Sequence, residues 1–157
     1  MKNITTADRA SERELVVTRT VNGPARLVFK AWSTPELFTR WWVPKSSGVT
    51  MLSCEMDIRT GGTYRLVMSH PAAPQPMAFF GRYIEVTPHD RMVWTNDESA
   101  DGAVTTVTFE EKDGATLVVL RDLYPSKQTL DDAIASGSTS GFSEQFEQLD
   151  ALLVTLD

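Results

Sequence analysis

From Glu14 to Val21 the chain alternates: Leu15, Val17, Arg19 and Val21 fall on one face, and Val16, Thr18 and Thr20 on the other. That is the period-two pattern of a strand rich in β-branched residues. Gly23-Pro24 ends it, and Pro24 suits the first turn of a helix, where a missing N–H costs nothing. Val28, Ala31 and Trp32 then recur at three- and four-residue spacing. Thr34-Pro35 restarts the pattern, with Thr34 as N-cap, Pro35 at the first helical position and Glu36 at the positive end of the dipole. Leu37, Phe38, Trp41 and Trp42 give this second short helix its apolar side, and Pro44 stops it.

The middle of the chain returns to the strand period. Val49–Ile58, Thr63–Ser69, Met77–Val86, Arg91–Thr95, Val104–Glu111 and Ala115–Leu120 read as strands. Thr60-Gly61-Gly62 turns the first pair, and the proline-rich Pro71–Pro76 forms a surface loop. Thr87–Asp90, Asn96–Gly102 and Asp113-Gly114 separate the others. Such short separators favour antiparallel neighbours over βαβ crossovers. Near the end the period changes to helical. Thr129–Ala135 reads as a short helix with Thr129 and Asp132 as a capping pair, and Gly137 and Gly141 punctuate the segment after it. Phe142, Phe146, Leu149, Leu153 and Leu156 then form one stripe of a final helix. The expected fold is α+β: a curved antiparallel sheet closed by a long C-terminal helix, with two short helices after strand 1. Residues 1–13 are expected as a flexible N-terminal lead-in and 14–157 as a single domain.

Composition narrows the class. A chain of 157 residues with 41% hydrophobic and 23% charged residues suits one soluble globular domain. The net charge is −6 with both signs interspersed, so no basic stripe is available to neutralise phosphates, and nucleic-acid binding is not expected. No apolar run approaches the ~20 residues of a membrane span. Met1 to Glu14 has neither signal- nor transit-peptide character, and the lone Cys54 suits a reducing compartment. The expected location is cytoplasmic, and the Asn3-Ile4-Thr5 sequon is taken as chance.

Candidate chemistry is sparse. Neither His70 nor His89 has a partner at ligand spacing, and Cys54 has no adjacent histidine, so no metal and no cofactor are expected. Gly61-Gly62 precedes a strand, whereas a phosphate-cradling loop opens a helix. Asp57 and Arg59 read as strand-end charges paired with each other or with neighbours around a hairpin, with an anion or partner contact at a cavity rim as the alternative. Arg82 and Glu85 read as a solvated strand face. Large and adaptable side chains cluster by register instead. Tyr64, Leu66 and Met68 share one strand face, Phe79, Gly81 and Tyr83 a second, and Met92 and Trp94 a third. Phe142 and Phe146 would cover them from the helix. Trp41, Tyr64, Met68, Phe79, Tyr83, Trp94, Phe142 and Phe146 are the candidate cavity-lining, ligand-binding residues, and none is assigned a catalytic role.

Several of these signals also carry a resemblance. Arg19, Pro24, Ala31-Trp32, Pro35, Trp41-Trp42, Asp57-x-Arg59-x-Gly61-Gly62-x-Tyr64 and Gly81-Arg82-Tyr83-Ile84-Glu85-Val86-x-Pro88 occur in this order. Tyr124-Pro125-Ser126, Ser136-Gly137 and the Phe142–Leu153 helix come after them. Over roughly residues 14–155 this string resembles the homology domain shared with activators of the heat-shock protein 90 ATPase. That family lies within the START-like, SRPBCC superfamily. The resemblance implies the helix-grip fold and a cavity between sheet and C-terminal helix. The leading expectation is a small apolar or amphipathic ligand bound in that cavity without catalysis. A cyclase- or hydrolase-like enzyme using the same cavity is one alternative. A co-chaperone-like or stress-response accessory that binds a protein partner is another, and homodimerisation is compatible with all three.

Overall fold

The computed structural model describes residues 5–97, 102–135 and 141–156. Ser136-Gly137, the Asn3-Ile4 part of the sequon and 98–101 of the acidic separator lie outside the described residues. The elements are β1 (Thr6–Arg9), β2 (Glu14–Val21), α1 (Ala25–Ser33), α2 (Pro35–Trp41) and a 3₁₀ turn at Lys45–Ser47. Next along the chain are β3 (Thr50–Met56), β4 (Thr63–Ser69), β5 (Met77–Thr87), β6 (Arg91–Thr95), β7 (Val104–Lys112) and β8 (Ala115–Leu123). Two helices, α3 (Lys127–Ala135) and α4 (Phe142–Leu153), complete the chain. The strands form one antiparallel sheet in the order β1-β2-β8-β7-β6-β5-β4-β3. The fold is α+β, with the sheet curved about a C-terminal helix in the helix-grip arrangement.

Curvature is built into β5. Met77–Arg82 pair with β4, whereas Tyr83–Thr87 pair with β6, and the register slips between Tyr83 and Glu85. An extra residue at such a bulge bends a strand and raises its twist. A second slip between Met51 and Ser53 bends the edge strand β3. The sheet therefore folds inward at its β3–β5 end, away from the flatter β6–β7–β8–β2 ladder.

On the concave face, Val17 and Val21 of β2, Val107 of β7 and Val118 and Leu120 of β8 are buried. They pack with Val28, Ala31 and Trp32 of α1 and with Phe146, Leu149, Leu152 and Leu153 of α4. The α4 stripe differs from expectation at its ends: Phe142 and Leu156 are only partly buried, and the helix stops at Leu153. Leu152, off the expected stripe, is buried as well.

Three local differences have physical causes. Thr6–Arg9, within the segment expected as a flexible lead-in, pair with Leu15–Thr18 as β1. All four β1 residues are exposed, so no alternation marks the strand; ladder bonds and the 2.6 Å Arg9–Asp131 ion pair hold it. Thr34 occupies the N-cap position of α2, but its side chain makes no capping bond. The first turn of α3 is closed by Ser126 and Thr129, each backbone N–H donating to the other's hydroxyl at 3.2 Å, so the helix begins before the expected Thr129–Asp132 pair. Among the described residues, no helix is long and apolar enough to cross a membrane.

Candidate functional site

Because β5 turns the β3–β5 end of the sheet inward, the inner faces of β4, β5 and β6 bound a hollow. Its other sides are α1, the end of α2 with the segment after it, and the start of α4. The cavity measures ≈ 660 Å³ and is partly open. Tyr64, Met68, Phe79, Tyr83 and Trp94 lie in its wall, five of the eight residues expected there. Strand register explains this: their Cβ atoms alternate onto one face, and Tyr83 pairs directly with Trp94.

Trp41, Phe142 and Phe146 do not form the wall. Trp41 is fully buried behind it, with Nε1 donating to the Ala31 carbonyl at 2.9 Å. Phe146 is 1% exposed and stacks on Trp41 at 6.4 Å, and Phe142 stacks on Phe146 from outside at 6.5 Å. These rings are core because α4 packs its apolar stripe against α1 and α2 as well as the sheet. Their places in the wall are taken by Trp32, Trp42 and the polar Gln145. Trp42 stacks on Phe38 at 4.7 Å, one residue beyond the end of α2. Gln145 lies off the apolar stripe, so helical periodicity gives no signal for it.

The segment from Trp41 to Ser46, part of which forms the cavity's rim, is tied to α4 by side chains. Gln148 Nε2 donates to the Trp41 and Val43 carbonyls at 2.9 Å each, and its Oε1 accepts from Lys45 N–H at 2.9 Å. Gln145 Nε2 donates to the Trp42 carbonyl at 2.5 Å. Glu144 accepts from both the hydroxyl and the backbone N–H of Ser46, and the hydroxyl bond holds its carboxyl below the usual carboxylate range.

A chain of polar groups leads from the cavity into the sheet. Tyr64 Oη donates to the Thr95 carbonyl at 2.7 Å and lies 3.3 Å from Asn96 Oδ1. Gly81 makes this approach feasible: a Cβ there would stand 2.0 Å from the Thr95 oxygen. Asn96 Nδ2 donates to the Ala103 carbonyl at 2.6 Å and to Thr105 Oγ1 at 3.1 Å. Thr105 Oγ1 in turn donates to Asp122 Oδ1 at 2.6 Å. Burial pushes Asp122 up to about 6, against the lowering effect of that hydroxyl. The nearby Tyr124 phenol rises to about 12, through burial first and the Asp122 charge second.

Among the described residues the wall holds no charged side chain, no histidine and no cysteine. Burial also raises the Tyr83 phenol, which keeps its proton. His70 accepts from Ala72 N–H at 2.9 Å, and His89 meets the edge of Phe29 at 5.5 Å; neither reaches the cavity. Cys54 is half-buried with its thiol raised by burial, and Sγ lies 3.4 Å from Met56 Sδ. Asp57 and Arg59 pair with each other at 2.9 Å and are exposed. Arg82 pairs with Asp97 and Glu85 with Arg91 on the outer surface. Among the described residues no three His, Cys, Asp or Glu side chains gather in a metal-binding arrangement.

One polar atom stands apart. Trp32 Nε1 is, among the described residues, the one buried side-chain nitrogen or oxygen without a hydrogen-bond partner. An unpaired buried donor costs about 1–3 kcal/mol.

Comparison with known proteins bears on this arrangement. The sequence profile described as Activator of Hsp90 ATPase homolog 1-like protein matches residues 22–154. A search of the curated proteins gave no match. Among solved structures, a Rhodobacter sphaeroides protein is similar at TM-score 0.87 and 21% identity, covering 98% of this chain and 99% of that one. A Nitrosomonas europaea protein is similar at TM-score 0.84 and 23% identity, covering 94% and 97%. An AHSA1-like protein from Aeromonas hydrophila is similar at TM-score 0.64 and 17% identity, covering 87% and 94%. At these identities the structural likeness concerns the fold alone.

Proposed function

The chain belongs to the Activator of Hsp90 ATPase homolog 1-like family, and we propose that it is a non-catalytic binding protein for a small apolar or amphipathic molecule. The observation that carries this reading is the ≈ 660 Å³ cavity, walled mainly by aromatic, methionine and aliphatic side chains without a charge among the described residues. Its volume lies within the roughly 300–1,000 Å³ of small-molecule sites. Four methionines, Met56, Met68, Met77 and Met92, share the wall with the aromatics, and their unbranched thioethers adapt to differing ligand shapes. A single partly buried cysteine fits a reducing compartment, and we place this activity in the cytoplasm.

The enzymatic alternative has less support. General acid–base chemistry needs a titratable group within hydrogen-bond reach of substrate, with a pKa near the working pH. Tyr64 spends its proton on the Thr95 carbonyl. Asp122 has the suitable range, but it meets the cavity only through Thr105 and the carboxamide of the wall residue Asn96. A carboxamide orients its neighbours without passing a proton along. The chain therefore braces the cavity and does not serve it as an acid or base.

Native mass spectrometry of gently purified protein, with thermal shifts against fatty acids, sterols and aromatic polyketides, tests the proposal. A retained small molecule, or a melting temperature that rises with an apolar panel member by mass action, is the expected result. No retained molecule and no stabilising panel member would sink it, leaving a protein-interaction role as the better account.

A further inference from the structure

Trp32 sits in the last turn of α1, 1% exposed, and is one of the residues lining the cavity. Trp41 packs against it at 4.7 Å, Trp42 and Phe109 at 5.9 Å each, and Trp94 at 6.1 Å. This cage fixes the indole plane. The neighbouring Trp41 spends its N–H on the Ala31 carbonyl, whereas Trp32 Nε1 has no acceptor among the described residues. Natural interiors rarely leave a buried donor unpaired. Indole nitrogen donates and never accepts, so the missing partner is an acceptor.

Several other polar groups in the wall are engaged within the protein, the Tyr83 phenol not among them. Tyr64 donates to the Thr95 carbonyl, Asn96 to Ala103 and Thr105, Gln145 to the Trp42 carbonyl, and Ser47 to the Pro44 carbonyl. From the orphaned donor and the uncharged wall, we infer that Trp32 Nε1–H is the polar anchor of the cavity, selecting uncharged, mainly apolar molecules that carry a carbonyl-type oxygen. This anchor presupposes that the cavity is the ligand site. A carboxylate would also accept from the indole, but among the described residues no cation stands in the wall to offset its desolvation. Neighbouring side chains cover the nitrogen, so the oxygen reaches it by displacing one of them.

Two matched pairs of probes test the anchor: 9-fluorenone against fluorene, and 2-tridecanone against tridecane. Within a pair that binds, the ketone should bind about tenfold more tightly, the worth of one neutral hydrogen bond. In ¹⁵N-labelled protein the Trp32 indole N–H resonance, assigned by its loss in Trp32→Phe, should move downfield with the ketone and not with the hydrocarbon. The ketone preference should vanish in Trp32→Phe. Methyl laurate should bind more tightly than ionised laurate. If Trp32→Phe does not fold, the ketone–hydrocarbon comparison in the parent decides alone, with the indole resonance assigned through its contacts to Trp41 and Phe109. Equal affinity within each pair, or an unmoved Trp32 resonance, overturns the anchor while leaving the cavity as a ligand site. Tighter binding of laurate than of its ester overturns the restriction to uncharged ligands. Failure of every probe, together with failure of the wider apolar panel, overturns the cavity reading and the anchor with it.

Discussion

Arg19 Nε and Nη2 both donate to Asp150 Oδ2, at 3.0 and 2.7 Å, and so join β2 to the last turns of α4. The other carboxylate oxygen accepts from Asn22 N–H at 2.8 Å, and Arg19 Nη1 reaches Thr5 Oγ1 at 2.9 Å. One ion pair thus ties together the first strand of the core, the turn after it and the closing helix. Arg19 is 6% exposed, so the pair is not an ordinary surface bridge. Removing one partner strands a buried charge, at a cost of about 3–5 kcal/mol. Asp150→Ala should therefore lose about that much in urea unfolding. Arg19→Met combined with Asp150→Leu should recover much of it, because neither charge is then left alone. A single-variant loss below about 1 kcal/mol would reduce the pair to the value of an exposed bridge.

The wall and the core behind it should separate in mutagenesis. Phe146 packs on Trp41 with no share of the cavity surface, so Phe146→Ala should cost about 3–5 kcal/mol like other buried aromatics. Trp42 is partly buried, lines the cavity and rests one face on Phe38. Trp42→Leu should cost clearly less stability yet remove most of the ligand-induced thermal shift. A shift kept by Trp42→Leu and lost in a still-folded Phe146→Leu would reverse this assignment of wall and core.

That distinction shows where sequence reading stops. The order of strands and helices is legible because alternation, turn glycines and helix-starting prolines each act within a few residues. Tyr64, Met68, Phe79, Tyr83 and Trp94 are legible as one surface because a strand's faces follow from its period. Trp41 and Trp42 are not separable in the same way. Both continue an apolar helical side, and the choice depends on α2 ending between them and on Gln148 holding the carbonyls of Trp41 and Val43. β1 escapes notice for the opposite reason: a strand exposed on both faces needs no pattern, only a free edge to pair with. The unpaired nitrogen of Trp32 is a property of the assembled cage, and no local pattern encodes it.

The Tyr64–Thr95 contact depends on a missing side chain. At Gly81 a methyl group would meet the Thr95 oxygen at 2.0 Å, and that atom is backbone of β6, which cannot swing aside as a side chain could. Gly81→Ala should cost about 1–3 kcal/mol through overpacking and should weaken ligand binding, because Tyr64 loses its fixed acceptor in the wall. Gly61 offers the control. Its φ of +87° makes alanine cost about 1–2 kcal/mol, but nothing lies within 4 Å of a Cβ there. Gly61→Ala should lose similar stability and bind apolar probes as the parent does. Equal loss of binding in both variants would mean that stability, and not Tyr64, governs occupancy.

Asp122 sets a pH dependence whose sign is unusual for a carboxylate. Its folded value of about 6 lies above the usual 3.8, because burial outweighs the bond from Thr105. The native state therefore holds this proton more tightly than the unfolded chain does. Stability from this group is fully present below about pH 4 and is lost as pH rises through 6. At pH 7 the ionised, half-buried carboxylate costs at most about 2–3 kcal/mol relative to its protonated form. Asp122→Asn keeps an oxygen for the Thr105 hydroxyl and removes the charge. The variant should thus be more stable than the parent at pH 7, and the difference should shrink steadily between pH 7 and 4. Urea unfolding of both proteins across that range measures it directly. Parallel stability profiles would show that Asp122 ionises in the folded protein as it does in the unfolded chain, and that the polar chain from Tyr64 ends in a solvated carboxylate.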